Sequence, residues 1–247
     1  MAQGMAEREL LKKMQQDWDA RARINARYFV NTARADWTDE EFFQSGRQTV
    51  AEEILTDMIN ICQGLEPKQM RVLEIGCGAG RVTRALAELF GEVHGVDVSG
   101  EMVALARQAL RDFPNAFVYQ NNGMDLSVLP PGLVFDFAFS CIVFQHIPSR
   151  DIIENYVREV HRVLRPGALF KFQVQGDTRV AGAPDDTWLG APFSEQEAVA
   201  MARRCGFEPR YRHGAGQQYF WLWYFKTGEA QPLATSARGG AADPSAA

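Results

Sequence analysis

Two carboxylates flank a glycine-rich turn, and their types and spacing point to a ligand site. Residues 72–80 read Val-Leu-Glu-Ile-Gly-Cys-Gly-Ala-Gly, so Glu74 stands two residues before a turn that holds three glycines. Glycine lets the backbone approach a ligand closely, because no Cβ stands in the way. Asp97 ends a second apolar run 17 residues after Gly80. An acid about 20 residues after such a turn can accept hydrogen bonds from ribose hydroxyls.

The spacing of the glycines bears on the kind of ligand. Dinucleotide sites use G-x-G-x-x-G between a strand and a helix, whereas this turn is G-x-G-x-G, one residue shorter. A pyrophosphate favours a helix N-terminus that is free of competing anions. Glu74 lies close to that point in the sequence, and a carboxylate there suits a cationic ligand better.

Five segments in order resemble the class I S-adenosylmethionine-dependent methyltransferases, over roughly residues 65–227. They are VLEIGCGAGRVTRAL (72–86), VHGVDVSGEMVALAR (93–107), NNGMDL (121–126), FDFAFSCIVFQHIP (135–148) and EVHRVLRPGALFKFQV (159–174). S-adenosylmethionine carries an ammonium and a sulfonium and has no phosphate, which agrees with a carboxylate at the turn. The resemblance implies methyl transfer with S-adenosylhomocysteine as the product, and no metal.

The resemblance also implies a set of cofactor contacts at the carboxyl ends of the strands. Glu74 and the turn backbone would hold the methionine part, and Asp97 would accept hydrogen bonds from the ribose. Arg81 could reach the methionine carboxylate, or could be a solvated arginine at a helix start. The predicted cofactor site comprises Glu74, Gly76, Cys77, Gly78, Gly80, Asp97, Val98, Met102, Asn122, Gly123, Met124 and Ser140.

The adenine contacts depart from the family pattern. Val98 and Met102 would flank the ring, although a methionine at this place also suits a helix core. The adenine amine usually meets an aspartate within a Gly-Asp-Ala segment, and Asn122 stands there instead. Its carbonyl oxygen can still accept from an exocyclic amine, and Asp125 is the alternative acceptor.

The acceptor side is less clearly marked in the sequence. Methyl transfer is an in-line displacement that needs alignment and exclusion of water, and it needs a base only when the acceptor must lose a proton. His146 is the candidate base, or alternatively braces the loop before a helix over 150–163. Aromatic residues of the variable parts either line a pocket for a small, partly apolar molecule or pack the extension onto the core. The predicted acceptor pocket comprises Trp18, Tyr28, Phe43, Gln145, His146 and Trp188.

Composition narrows the class of protein. The net charge of −5 argues against a nucleic-acid partner, and the four cysteines lack a C-x-x-C pair, which argues against a metal cluster. The longest apolar stretch, 133–147, is broken by Asp136 and is too short to span a bilayer. We expect a cytoplasmic protein, a monomer or a homodimer, that acts on a small molecule.

Alternating strands and helices predict the architecture. Strands over 71–75, 93–97, 116–120, 134–140 and 168–174 alternate with helices, which indicates a doubly wound α/β fold with a mostly parallel sheet. By resemblance, the sheet has seven strands and the last is antiparallel. Residues 1–64 would form an N-terminal helical extension or lid, interrupted at 41–46; residues 65–227 the core; and residues 228–247 a disordered tail.

Three functions remain open from the sequence. The first is a methyltransferase that acts on an oxygen or nitrogen atom of a small molecule. The second is a nucleotide-binding oxidoreductase, against which the short glycine spacing and Glu74 argue. The third is a protein that binds S-adenosylmethionine without transferring its methyl group.

Overall fold

The computed structural model describes residues 2–180, 183 and 185–227, and for residues 2–6 the backbone alone. The tail predicted at 228–247 lies outside these ranges. The helices and strands in chain order are α1 Ala2–Val30, α2 Asp39–Glu53, α3 Met58–Cys62, β1 Arg71–Ile75, α4 Arg81–Leu89, β2 Glu92–Asp97, α5 Gly100–Ala109, β3 Ala116–Gln120, β4 Phe135–Phe139, α6 Arg150–Val163, β5 Leu164–Val174, α7 Glu195–Arg204, β6 Phe207–His213 and β7 Phe220–Lys226.

The strands form one seven-stranded sheet in the order β3-β2-β1-β4-β5-β7-β6. The first five strands are parallel to one another, and β7 runs antiparallel to both β5 and β6. This confirms the predicted fold class, including the antiparallel last strand. The chain reverses its direction of travel across the sheet between β1 and β4, and ligands of such sheets bind at that switch point, beyond the carboxyl ends of the strands.

The sheet is covered on both faces, as its apolar strands require. One buried cluster includes Leu73, Phe170 and Phe172 under α6 and α7, and another includes Val72 and Phe137 under α4. Parallel strands buried on both faces read as near-continuous apolar runs rather than alternating ones, and this is how β1 and β4 read in the sequence. The two layers hold the carboxyl ends of the central strands in fixed positions.

One predicted interruption is wrong. The segment 41–46 lies inside α2, because Thr38 and Glu41 form a reciprocal capping box that begins the helix at Asp39. Gly46 costs helix propensity, but it lets α2 approach the carbonyl oxygen of Arg81, where a Cβ would collide. The break in the extension falls instead at residues 31–38.

Strand β5 begins earlier than the predicted residue 168. It starts at Leu164, directly after α6, and its pairing with β4 shifts register between Phe135 and Phe137. A register shift of this kind accommodates extra residues in one strand. Pro166 and Gly167 therefore lie within the strand.

Helix α1 is broken at Asn25, whose backbone is not helical (φ −167°, ψ 85°). The Asn25 side-chain oxygen accepts a hydrogen bond from the Tyr28 backbone N–H, and its amide donates to the carbonyl of Ala35. Earlier in α1, the Ser99 hydroxyl donates to the Asp19 carboxylate at 2.6 Å. The bond from Ser99 docks α1 on the start of α5, and the break at Asn25 is followed by a last turn whose Val30 lies beside Gly78.

The described residues contain neither a membrane-spanning helix nor a metal-binding group. No helix among them combines the length and the apolar character that crossing a bilayer requires. Within the same residues, no group of three or more His, Cys, Asp or Glu side chains is placed to hold a metal ion.

Candidate functional site

A cavity lies at the carboxyl ends of β1, β2 and β4, under α1 and beside the 141–147 loop. Counted with the solvent at its mouth, it has about 850 Å³ of space, which is within the range of small-molecule sites. Nine of the predicted site residues line it: Trp18, Glu74, Gly76, Cys77, Gly78, Asp97, Val98, Met102 and His146. Residues separated by more than a hundred positions in the sequence therefore meet at one wall.

The glycine turn has a backbone that few other residues could adopt. Gly76 and Gly78 have φ angles of 74° and 51°, in the left-handed region that favours glycine. A Cβ on Gly76 would collide with the Val143 side chain, and one on Gly78 would meet Val30 at 2.9 Å. Both glycines are thus required by the turn itself and by the residues that close over it.

Glu74 is a buried carboxylate on the cavity wall. It is 4% exposed, and the Thr83 hydroxyl donates a hydrogen bond to one of its oxygens at 2.6 Å. Burial raises the pKa of Glu74 to about 7, because desolvation disfavours the charged form. A cation brought next to this carboxylate would favour its ionised form.

Asp97 lies across the turn from Glu74 and is fixed by two backbone donors. The N–H groups of Gly78 and Ser99 donate to its two oxygens, each at 2.9 Å. Burial still raises the pKa of Asp97 to about 6, and the two N–H donors counteract part of that rise. Each carboxylate oxygen has a further lone pair, so Asp97 can accept hydrogen bonds from a ligand diol.

Arg81 is buried rather than solvated. It is 5% exposed, and its Nη1 donates to the Ser45 carbonyl at 3.0 Å and to the Thr49 hydroxyl at 2.9 Å. Its Nε is buried without a hydrogen-bond partner among the described residues, and burial lowers the pKa of the guanidinium. The sequence left the role of Arg81 open, because its burial comes from contacts with Ser45 and Thr49 of α2 that no local pattern reveals.

Asn121, rather than Asn122, lines the cavity. The Asn121 amide donates to the Tyr156 hydroxyl at 2.7 Å. The Asn122 side chain is exposed and turned toward the following residues: its oxygen accepts from the N–H groups of Met124 and Asp125. Contact between Asn122 and an adenine stays a prediction, and Asn121 is a residue that motif reasoning did not single out.

His146 is buried beside the cavity and has a defined tautomer. Its Nδ1 lies 2.6 Å from the carbonyl oxygen of Trp188, which can only accept, so Nδ1 carries the proton. Its Nε2 faces the Gln145 amide nitrogen at 3.4 Å, and the Gln173 amide donates to the Gln145 oxygen at 3.2 Å. Burial lowers the pKa of His146 to about 4, so the ring is neutral at physiological pH.

An aromatic cluster closes the cavity next to His146. The ring centroid of Trp18 lies 5.3 Å from His146 and 6.3 Å from Trp188, and the Arg21 guanidinium lies over both indoles. The Thr187 hydroxyl donates to an Asp17 oxygen at 2.7 Å. These contacts fasten the loop after β5 onto α1.

The remaining predicted site residues lie outside the wall of this cavity. Ser140 donates its hydroxyl to the Ile75 carbonyl, and Tyr28 packs edge-on against Phe29, which does line the cavity. Phe43 packs under α1 on the other side of the turn. The rest of this group, with their roles still predictions, are Gly80, Gly123, Met124 and Gln145.

Comparison with known proteins places these features in a family. A family model described as a methyltransferase domain matches residues 72–167. Over 129 residues, 49% of this chain, the sequence is 29% identical to 49% of YqeM of Bacillus subtilis (strain 168), whose name assigns it provisionally as a methyltransferase. Over 151 residues, 61% of this chain, it is 24% identical to 53% of a ubiquinone biosynthesis O-methyltransferase of Pseudomonas aeruginosa (strain LESB58). The chain thus spans about half the length of these curated relatives.

A solved structure has the same fold. The magnesium protoporphyrin IX methyltransferase of Synechocystis PCC 6803, crystallised with bound SAH, superposes with a TM-score of 0.58 at 16% identity. The match covers 81% of this chain and 93% of that one. At this identity the likeness shows the architecture and leaves the substrate open.

Proposed function

The chain belongs to the class I S-adenosylmethionine-dependent methyltransferases, and on that premise we propose that it methylates an oxygen or nitrogen atom of a small, partly apolar molecule. The observation that carries the proposal is the arrangement of charged groups around one turn. Glu74, Asp97 and Arg81 line the same cavity. Burial raises the pKa of both carboxylates, and the Nε of Arg81 is buried without a hydrogen-bond partner among the described residues.

The residues of the cavity fit the methyl donor. Glu74 would hold the ammonium, since burial raises its pKa and a ligand cation beside it would favour the charged form. Asp97 would accept from the ribose hydroxyls, and Arg81 would bind the carboxylate through its unpartnered Nε. Val98 and Met102 would flank the adenine ring. When bound, the donor supplies a methyl group that is already activated by the sulfonium.

The wall near His146 supports a small, partly apolar acceptor. It is formed by Met14, Trp18, Phe29 and Ile147, with a histidine that is neutral at physiological pH. A permanently charged group would lose its hydration there without a matching counter-charge. The ubiquinone biosynthesis and magnesium protoporphyrin IX enzymes are also named for small-molecule pathways or substrates.

His146 would take up the acceptor proton through Nε2. A base with a pKa near 4 is too weak to ionise a free hydroxyl or amine in advance. The acceptor atom becomes strongly acidic as it gains the methyl group, so proton transfer to Nε2 becomes favourable during or after bond formation. Trp188 would orient the ring, and the Trp18 and Trp188 indoles would exclude water.

Turnover to S-adenosylhomocysteine tests the proposal. The full chain would be incubated with S-adenosylmethionine and a panel of uncharged phenols, enols, amines and carboxylate esters with free hydroxyl groups, and S-adenosylhomocysteine would be quantified. We expect acceptor-dependent formation with at least one phenol or amine. Donor binding without turnover on any acceptor would favour the protein that only binds S-adenosylmethionine.

A further inference from the structure

A second cavity lies on the opposite side of the glycine turn from the one described above. Its walls include Ala79 of the turn, Asn25 at the break of α1, Trp37 and Phe43 of the extension, and Arg84 of α4. Counted with the solvent at its mouth, it has about 1410 Å³ of space. Of the predicted acceptor-pocket residues only Phe43 lines this second cavity, and Phe43 does not line the first, so the chemistry of the second cavity can be considered by itself.

Arg84 is an unsatisfied cation in this wall. It is half-buried, and its Nε is buried without a hydrogen-bond partner among the described residues. Within the part of the chain that the structure describes, no carboxylate lies at ion-pair distance from its guanidinium. The guanidinium carbon lies 4.7 Å from the Phe43 ring centroid and 5.4 Å from that of Phe113. The guanidinium thus packs against two aromatic rings, and Arg84 forms part of the cavity wall.

Neighbouring side chains explain why Arg84 has no ion-pair partner among the described residues. Its expected partner on α4 is Glu88, four residues on, but the Arg47 guanidinium of α2 holds that carboxylate with two hydrogen bonds, at 2.6 and 2.9 Å. The other two arginines of the cavity already have carboxylates: Arg27 pairs with Asp39, and Arg111 with Asp112. Arg84 is therefore the cation of this wall that remains available to an anion.

We propose that this cavity is a binding site for a small arylcarboxylate, with the carboxylate on Arg84 and the ring against Trp37 and Phe43. A guanidinium presents paired donors that match the two oxygens of a carboxylate. Arg84 lines the cavity and has no carboxylate at ion-pair distance among the described residues, so an anion bound here supplies its guanidinium with a charge partner. The indole and phenyl walls suit a flat, apolar body.

The site is separate from the donor cavity, although both share the glycine turn. Ala79 faces the second cavity, while Cys77 and Gly78 face the first. An arylcarboxylate in the second cavity should therefore bind at the same time as S-adenosylhomocysteine in the first. Because the two cavities are separate, naphthoate binding can fail while methyl transfer succeeds, and the reverse.

Calorimetric titration of the full chain with 2-naphthoate tests the proposal, with 2-naphthamide as the uncharged analogue. Charged hydrogen bonds contribute about 1.5–3 kcal/mol, so we expect Arg84→Gln and the amide analogue each to weaken binding roughly tenfold or more. Arg203→Gln, which removes the same charge on α7 outside this cavity, should bind naphthoate as the wild type does. Thermal unfolding of each variant verifies that it is folded.

A second variant, Arg47→Gln, tests whether Arg84 is available to a ligand because Arg47 holds Glu88. Arg47 does not line the cavity, but Arg47→Gln frees Glu88 to pair with Arg84 and should weaken naphthoate binding in turn. Equal affinity in Arg84→Gln, competition between naphthoate and S-adenosylhomocysteine, or no binding at millimolar naphthoate would each overturn the proposal.

Discussion

The Nδ1–H of His146 donates to the backbone carbonyl of Trp188 across 2.6 Å, joining the loop after β4 to the loop after β5. This bond leaves the lone pair of His146 on Nε2. Because Thr187 is held by Asp17 of α1, the orientation of the ring depends on three separate segments of the chain. A ring held in this way can serve as a base, as a brace between the loops, or as both.

Replacing His146 by glutamine separates the two roles. Glutamine can still donate to the Trp188 carbonyl but has no basic nitrogen, so we expect a stable protein whose turnover is roughly 10²–10⁴ times slower, the usual contribution of general base catalysis. His146→Ala should lose both functions and unfold at a lower temperature. Turnover of His146→Gln at the wild-type rate would leave His146 a structural role only.

The pH dependence provides a second test of His146. Its pKa is lowered to about 4, so Nε2 is unprotonated throughout the neutral range and becomes protonated only below about pH 5. With saturating donor and acceptor, kcat should be flat between pH 6 and 8 and fall below pH 5. A midpoint near 6.5, the ordinary value for histidine, would contradict the buried neutral ring.

Glu74→Gln should make the ligand-free protein more stable at high pH. The folded pKa of Glu74 is about 7, above the unfolded value of 4.5, so ionisation destabilises the fold as the pH rises from 4.5 through 7. Removing this ionisation should raise the unfolding free energy at pH 8 by about 3 kcal/mol, and should change it little at pH 4. Chemical denaturation at both pH values measures the difference.

The same substitution should weaken donor binding, because the ligand ammonium loses its carboxylate. The Glu74→Gln protein would thus be more stable than the wild type at pH 8 and would bind the donor more weakly. A variant that is no more stable at pH 8 than the wild type would contradict the raised pKa, and unchanged affinity for S-adenosylhomocysteine would contradict the assigned contact.

Gly46→Ala tests whether α2 is seated against the start of α4. Alanine favours a helix by about 1 kcal/mol over glycine, but its Cβ would meet the carbonyl oxygen of Arg81, a backbone atom that cannot easily move. We expect a net loss of about 1–3 kcal/mol in unfolding free energy. Gln44→Ala, an exposed position on the same helix, should change it by less than about 0.5 kcal/mol. A more stable Gly46→Ala protein would show that α2 does not pack this closely.

The fold could be predicted well from local patterns, and the site only in part. The glycine turn and Asp97 lie at the ends of strands whose apolar runs are evident in the sequence, so their position followed from strand order alone. The burial of Arg81 depends on Ser45, 36 residues away in the extension. No local pattern reports such a contact, because it depends on how α2 packs on α4.

The choice between neighbouring residues was also beyond the sequence. Asn121 and Asn122 are chemically identical, and only the backbone after β3 decides which one faces the cavity. That backbone turns because the Asn122 side chain accepts from two N–H groups further along the chain. The extent of α2 was missed for a related reason, since Gly46 reads as a helix breaker until its contact with Arg81 is known.

Titration of the wild type and of Asp97→Ala with S-adenosylhomocysteine, and with NAD and NADP, tests the central claim most directly. Asp97 is predicted to hold the ribose, and a charged hydrogen bond contributes about 1.5–3 kcal/mol. We expect wild-type protein to bind S-adenosylhomocysteine and neither dinucleotide, and Asp97→Ala to remain folded but bind roughly 10–100 times more weakly. Tight binding of NAD or NADP with none of S-adenosylhomocysteine would contradict the account.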